Sequence, residues 1–384
     1  MIYFDNNATT SVDPSVLTEM LPFLKEQYGN PSSAYSFGKR VARAVERARE
    51  QVAALLGCEP SEILFTSCGT ESDNSALQSA LLIDQDRKHI VTSKVEHSAI
   101  IKHAETLARR GYEVTWLDVD ANGLIDLSQL EDSIRPDTAI VSLMWANNET
   151  GVLFPIEEAA EICRKHQTIF HTDAVQAVGK IPVNLATVPI QFLSLSGHKL
   201  HAPKGVGALY VNRRARFFPF LVGGGQEDQR RGGTENTASI VALGKAAEMA
   251  AGFIQEEDRF VRELRDTFER EMLRRIPGAT VNGHLERRLP NTTNLSIEGI
   301  DSEAMLMILD QQGVCCSAGS ACTTGSLEPS HVLRAMGLSN EQARASLRFS
   351  FGRLNTMQEV NRALEILARA VKKLREMTPG VLAA

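Results

Sequence analysis

The chain has 384 residues, 43% of them hydrophobic and 23% charged, and a formal net charge of -6. That length suggests roughly two domains with a core large enough not to lean on disulfides. The mild acidity, without any basic block, argues against nucleic acid as a partner. The start, MIYFDNNATT, has neither a basic n-region nor an apolar h-region, and no apolar run of about 18 residues is evident, so no membrane contact is expected and the cytoplasm is the expected location. Six cysteines in a reducing compartment then read as small buried groups or as chemistry, not as a disulfide framework.

In chain order, short β-branched or apolar runs begin with EILFT near 62, HIVTS near 89 and YEVTWLDV near 112. They continue with AIVSLMW near 139, TIFHTD near 168, FLSLS near 192 and GALYV near 207, with helical segments between. This alternation predicts a mostly parallel sheet with helices on both faces, whose ligands lie beyond the carboxyl ends of the strands. After about residue 255 the texture changes. DRFVRELRDTFEREML places Val261, Leu264, Phe268 and Met272 on one helical face, and Met357, Val360, Leu364, Leu367, Val371 and Leu374 repeat the pattern near the end. Two helices flanking the strands TNLSI and LRFSF predict a smaller α+β domain, with these stripes in its core.

Five stretches could carry chemistry. In LFTSCGTESDNSA (64–76) a strand runs into Gly69 and Thr70 and then a helix, whose free N–H groups would suit phosphate; an ordinary capped helix, with Thr70 and Asp73 as the capping pair, is the plainer reading. His97 in SKVEHSAI is either structural or an imidazole over a flat cofactor. In FHTDAVQAVGK (170–180), Asp173 at a strand end could hold a protonated pyridine nitrogen or cap a helix. In SLSGHKLHAPKG (194–205), Lys199 stands where a doubly wound sheet presents its ligand and could form a Schiff base, against the base rate of lysines as solvated charges. GVCCSAGSACTTGS (313–326) gathers Cys315, Cys316 and Cys322 in a loop of small residues. Together the parts amount to a phosphate cradle, an aspartate, a lysine and an aromatic lid.

At this point the chain resembles the cysteine desulfurases, pyridoxal-phosphate enzymes of the aminotransferase-like fold, and among them the nitrogen-fixation-type branch. YFDNNATT, GNPSS, FTSCGTESDN, VEHSA, MWANNETG, HTDAVQAVGK, SGHKLHAPKG, RRGGTEN, GSACTTGSLEPSHVLRAMG and LRFSFGR carry the resemblance nearly end to end. It implies an α/β, aminotransferase-like (fold type I) enzyme: a large domain with a mostly parallel seven-stranded sheet flanked by helices, plus a smaller α+β domain. The divisions it implies are an N-terminal arm (1–14) packing with the small domain, a large cofactor domain (15–255) and a small domain (256–384) carrying the cysteine loop. It implies pyridoxal 5'-phosphate held covalently by Lys199, with Asp173 on the ring nitrogen, Gln176 on the ring oxygen and His97 stacked on the ring. Gly69, Thr70, Ser196 and His198 would hold the phosphate, with Thr234 reaching in from a second subunit of a homodimer. Asn148 would lie beside ring and substrate, and Arg348 would clamp the substrate carboxylate. Catalysis would fall to Lys199, His97 and Cys322: L-cysteine becomes L-alanine, and its sulfur becomes a persulfide on Cys322, bound for an acceptor such as an iron–sulfur scaffold. No resident metal is implied, and Cys322 is the residue that would touch an iron–sulfur cluster in transit.

The rival readings are a related pyridoxal-phosphate enzyme, such as an aminotransferase or a selenocysteine lyase, and a protein that binds zinc or an iron–sulfur cluster through the thiol cluster. Cys315, Cys316 and Cys322 lack the paired C-x-x-C spacing of such metal sites. Family members commonly read SSGSAC where this chain reads Ser317 to Cys322 behind two further cysteines. Cys315 and Cys316 are either relays for the persulfide or small residues filling a strand end. An unperturbed thiol is only about 3% thiolate at pH 7, so either His97 takes the substrate thiol's proton or the site lowers the pKa of Cys322.

Overall fold

The computed structural model describes residues 1–319 and 328–377. Strand β1 (Ile2–Tyr3) opens the chain and is followed by β2 (Ile63–Thr66), β3 (His89–Ser93), β4 (Glu113–Leu117), β5 (Thr138–Met144), β6 (Ile169–Asp173), β7 (Phe192–Ser196) and β8 (Gly207–Val211). The last seven of these are the seven apolar runs of the sequence, and they form one sheet in the order β2-β8-β7-β6-β5-β3-β4. Neighbours from β4 to β7 are parallel, whereas β8 is antiparallel to both β7 and β2. A parallel partner needs a crossover of a dozen or more residues, and the short link after β7 carries only a turn of 3-10 helix, Gly197–Lys199, so the chain reverses.

Helices α1 (Pro14–Lys25), α2 (Ser36–Leu56), α3 (Gly69–Ile83), α4 (Ser98–Ala108), α5 (Leu127–Ser133) and α6 (Ile156–Lys165) accompany this sheet. Strands β2, β3, β5, β7 and β8 are buried along their whole length, which requires cover on both faces. One face packs Leu64, Leu77, Leu81, Ile90, Ile140 and Leu209, and the other is part of the largest core with Phe65, Val91, Val141, Phe170 and Leu193.

Helix α7 (Thr237–Arg275) begins well before residue 255 and runs through it without a break. Its first half places Ile240, Leu243, Ala246 and Ala247 in the large core, and its second half places Val261, Leu264, Phe268 and Met272 in a separate one. The first half is legible only by composition, because small and apolar residues surround it and leave no polar face to give a period. It is apolar and long enough to cross a membrane by composition alone, yet it packs against α1 and α2 and much of it is buried.

The remaining elements are β9 (Ala279–Val281), β10 (Thr292–Ile297), α8 (Ser302–Gln311), β11 (Val314–Cys315), α9 (His331–Ala335), α10 (Asn340–Arg344), β12 (Ser346–Ser350) and α11 (Met357–Met377). An antiparallel sheet β12-β10-β9 packs with the second half of α7 and with Val360, Leu364, Leu367 and Val371 of α11, the stripe read from the sequence. Strand β1 pairs in parallel with β11, and Phe4 closes on Phe268 and Phe351 at ring separations of 5.9 and 4.7 Å. Residues 2–5 are thereby stitched to this second core, which delivers Asn6, Asn7 and Ala8 to its junction with the large sheet.

Candidate active site

A cavity of about 210 Å³ opens at the carboxyl ends of β6 and β7, where a sheet of this kind presents its ligands. Strand β2 leads through Ser67 and Cys68 into α3, whose N-cap is Cys68 and not Thr70. The cause is local: Glu71 turns back and accepts from Ser67 N at 2.8 Å, while Ser72 donates to the Cys68 carbonyl. The shift of two residues turns Asp73 inward instead of leaving it as a cap partner. No side chain caps the first turn, and Gly69 and Thr70 line the cavity there. A Cβ at Gly69 would lie 2.7 Å from Val175 Cγ2, so only glycine fits without displacing that wall. Across from it, Ser196 Oγ is buried without a hydrogen-bond partner. An uncapped helix start and an orphaned hydroxyl make a cradle whose missing partner is an oxyanion.

The floor is acidic. Asp173 ends β6, and its Oδ1 accepts from Val175 N at 2.9 Å. Ligand atoms of Asp73, Asp173 and His97 lie within 4.8 Å of one another. Two carboxylates at that separation repel by about 3 kcal/mol at an effective dielectric of 20, roughly two pKa units before burial is counted. Burial and then the Asp173 charge push Asp73 well above its ordinary range. Burial also raises Asp173, and His97, the Val175 amide and Lys199 act against that rise. The arrangement calls for a cation or a proton donor against Asp173.

Glu96 lies nearby, accepting from Ser93 Oγ at 2.6 Å and Met144 N at 3.1 Å, and burial raises it from 4.5 to about 8. A carboxyl whose pKa is raised by folding stabilises the fold fully below about 4.5 and loses that contribution as pH climbs through about 8. Glu96→Gln is therefore expected to shrink the fall in melting temperature between pH 5 and pH 9. Thermal unfolding across that range checks it, and a variant with the wild-type slope would refute it.

Lys199 enters on the turn after β7 and donates to the carbonyls of Asn7 at 2.5 Å and Ala8 at 2.6 Å. His198 meets Thr9 Oγ1 at 3.1 Å, and burial, with Lys199 next, lowers it to about 4, so its ring is neutral at pH 7. His97 is the N-cap of α4. Its Nδ1 accepts from Ala99 N at 3.2 Å, which leaves Nε2 as the ring nitrogen that presents a donor. On the opposite wall Arg348 of β12 donates to the Asn148 carbonyl at 3.0 Å and to Asp5 at 2.7 Å. Its Nε is buried and without a partner. Ser317 donates to the same Asp5 at 2.9 Å and pairs by backbone with Arg348, tying the start of the cysteine loop to this arginine.

Gly69, Thr70, His97, Asn148, Asp173, Gln176, Ser196, His198, Lys199 and Arg348 all line this one cavity. Thr234 does not; it is exposed on the segment before α7. Cys322 lies outside the described residues. Cys315 belongs to β11 and Cys316 packs against the second core, and burial raises both thiols. That makes them poor thiolates and fits the packing alternative. Sequence reasoning missed Asp73 as a floor residue, Cys68 as a wall residue, and above all Asn7. Asn7 accepts from Lys199, Gln176 and Asn291 and donates to Ser350 Oγ, the Asn148 carbonyl and Thr292 Oγ1.

The family model described as aminotransferase class-V matches residues 2–363. A cysteine desulfurase of Nostoc is 52% identical over 99% of this chain and 95% of its own length. The cysteine desulfurase NifS of Azotobacter vinelandii is 51% identical over 98% and 94%, and the cysteine desulfurase IscS of Methanosarcina thermophila 46% over 98% and 94%. Among solved structures, one called a NifS-like protein superposes with a TM-score of 0.89 at 37% identity, covering 98% of this chain and 99% of that one. Another, described as SspA in complex with cysteine, has a TM-score of 0.81 at 34% identity, covering 93% and 100%.

Proposed function

This chain belongs to the aminotransferase class-V family, and we propose that it is a cysteine desulfurase working with pyridoxal 5'-phosphate in the cavity beyond β6 and β7. It converts L-cysteine to L-alanine and passes the sulfur through an enzyme persulfide to acceptors for iron–sulfur cluster assembly. The observation that carries the cofactor reading is the pairing in one cavity of an oxyanion cradle, Gly69 with Ser196, and a buried carboxylate that calls for a cation, Asp173. Phosphate answers the first and a protonated pyridine nitrogen the second.

When bound, pyridoxal phosphate supplies an aldehyde for an amine and an electron sink for the carbanion left when cysteine loses its α-proton. Lys199 would provide that amine, and its free amine would stand as the base for the α-proton. Gly69, Thr70, Ser196 and His198 would hold the phosphate. Asp173 would hold the ring nitrogen's proton, Gln176 would offer Nε2 to the ring oxygen, and His97 would cover the ring with its Nε2 donor available to a leaving or forming anion. Asn148 would stand beside ring and substrate. The unpartnered Nε of Arg348 leaves its guanidinium room for the substrate carboxylate, while Asp5 and the Asn148 carbonyl fix its plane. The Cys322 thiolate attacks the substrate sulfur: an S–S bond forms, the C–S bond breaks, its electron pair stays on carbon, and a proton completes alanine.

The division into an arm, a large domain and a small domain at residues 14 and 255 is supported by the two separate cores, with α7 shared between them. A homodimer, with Thr234 serving the neighbour's phosphate, is supported by the exposed Val222, Leu221 and Phe220 on the same segment, by Leu24 in the last turn of α1 and by Tyr28 after it. Cytoplasmic action and an iron–sulfur scaffold as acceptor complete the proposal.

The test is direct. Purified protein with pyridoxal phosphate and L-cysteine is expected to yield alanine and sulfide in the presence of thiol, and no alanine would end the reading. In the same assay Arg348→Lys should raise KM roughly 10- to 100-fold, because a lysine offers no planar fork; an unchanged KM would remove the clamp.

A further inference from the structure

The motif that supplies Asp173 and Gln176 ends in Lys180, a residue to which the reaction above gives no work. Gly179 sits at φ +77, and a Cβ there would lie 2.1 Å from Leu200 Cδ2, so glycine makes the turn that sends Lys180 back beneath Gln176. Lys180 donates to Gln176 Oε1 at 2.6 Å and to Asn7 Oδ1 at 3.3 Å. Gln176 Nε2 donates in turn to the Asn7 carbonyl at 3.0 Å, the carbonyl that also accepts from Lys199.

A glutamine amide can turn over, exchanging donor for acceptor, unless a partner tells its two ends apart. A lysine ammonium only donates and so keeps Oε1 on its own side, and a neutral amine, though it could also accept, has the two N–H groups that Oε1 and Asn7 Oδ1 take in this arrangement. The Nε2 hydrogens are left for Asn7 and the cavity. We propose that Lys180 is a positioning residue: it locks Gln176 with its amide nitrogen toward the cofactor's ring oxygen and steadies Asn7 beneath the Lys199 amine. This rests on the pyridoxal-phosphate reading of the cavity and adds to it.

The alternative is that Lys180 only fills space, and its environment speaks against that. Burying an amine costs free energy that an apolar residue of the same length would not incur. Burial lowers the Lys180 amine well below its ordinary value; Lys199 and Arg348 oppose its proton, and Glu257 of α7 favours it. Lys180 acts in the same way on His198 and His201, lowering both. A methionine would avoid all of this while packing equally well.

The experiment titrates cofactor-free protein with pyridoxal phosphate and follows the visible absorbance band across pH, for wild type, Lys180→Met, Lys180→Arg, Gln176→Leu and the Lys180→Met/Gln176→Leu double variant. Lys180→Met should bind about tenfold more weakly, the worth of one well-aligned hydrogen bond. The pH midpoint of its band should rise, because a ring oxygen without its donor holds a shared proton more tightly. Lys180→Arg should restore both properties, and Lys180→Met should add less than about twofold in the Gln176→Leu background. A Lys180→Met protein that binds and titrates as wild type does overturns the proposal, as does a loss undiminished by Gln176→Leu; either leaves the cofactor site itself standing. A wild type without any band overturns the site and this inference together. Melting curves accompany each variant, and Lys180→Ala carries the same expectations if the methionine variant does not fold.

Discussion

Lys199→Ala is expected to lower alanine formation from L-cysteine by about a thousandfold or more, with the protein still folded. On the proposed mechanism the chemical loss is twofold: the amine for the cofactor aldehyde and the base for the substrate's α-proton would disappear together, and groups acting as a unit fail as a unit. The structural loss is small. Lys199 gives two hydrogen bonds to carbonyls, and Gln176 Nε2 still serves the Asn7 carbonyl at 3.0 Å after the amine is gone. Two lost bonds of this kind cost about 1–3 kcal/mol, within the margin of an ordinary domain. Alanine measured by chromatography, beside a melting curve, separates the effects. A variant that keeps more than a tenth of wild-type turnover would remove Lys199 from the centre of the reaction.

What the sequence disclosed and what it withheld divide along the range of the interactions. Strands β2, β3 and β5 to β8 were legible because a strand covered on both faces is a short apolar run wherever it occurs, and the edge strand β4 by its β-branched and aromatic residues. The direction of β8 was not read, although the link from β7 is too short for a crossover and held the clue. The amphipathic halves of α7 and α11 showed their period; the first half of α7, apolar nearly all round, showed none. Asp73 read as a cap partner because Thr70 lies three residues before it. Only the reach of Glu71 back to Ser67 N starts the helix earlier and turns Asp73 under the cavity. Asn7 and Lys180 were silent for a different reason. Their meaning depends on residues 7, 176, 180, 199, 291, 292 and 350 meeting at one point, and no local pattern carries that. The cofactor residues were named by resemblance, and that resemblance conveyed positions but not the hydrogen bonds that set each group's protonation.

Cys322→Ser should cut sulfide release and persulfide formation by at least about a hundredfold, while the cofactor's absorbance and its change on adding L-cysteine persist. A serine hydroxyl gives almost no anion near neutral pH and is a poor nucleophile toward sulfur, so substrate can bind and engage the cofactor but its sulfur has nowhere to go. The other thiols explain why no neighbour should take over. Burial pushes Cys58 and Cys163 up to about 12, where the thiolate fraction at pH 7 is about one in 100,000. Cys316 is raised by burial as well, and Cys315 by burial and then by the charges of Asp310 and Asp5. The Cys315→Ala/Cys316→Ala protein is accordingly expected to match wild type in sulfide release and persulfide lifetime, and a shortened or lengthened lifetime would instead establish a relay. Among the described residues one thiol lines the cavity, Cys68, at the start of α3 beside Asp73 on the cradle wall. Arg348, which would hold the substrate carboxylate, projects from β12 across the junction. Cys68→Ser should therefore leave sulfide release close to wild type. If Cys322→Ser retains activity and Cys68→Ser loses it, the nucleophile is the wall thiol, and the sulfur would leave from the cofactor cavity itself and not from the loop that follows Ser317.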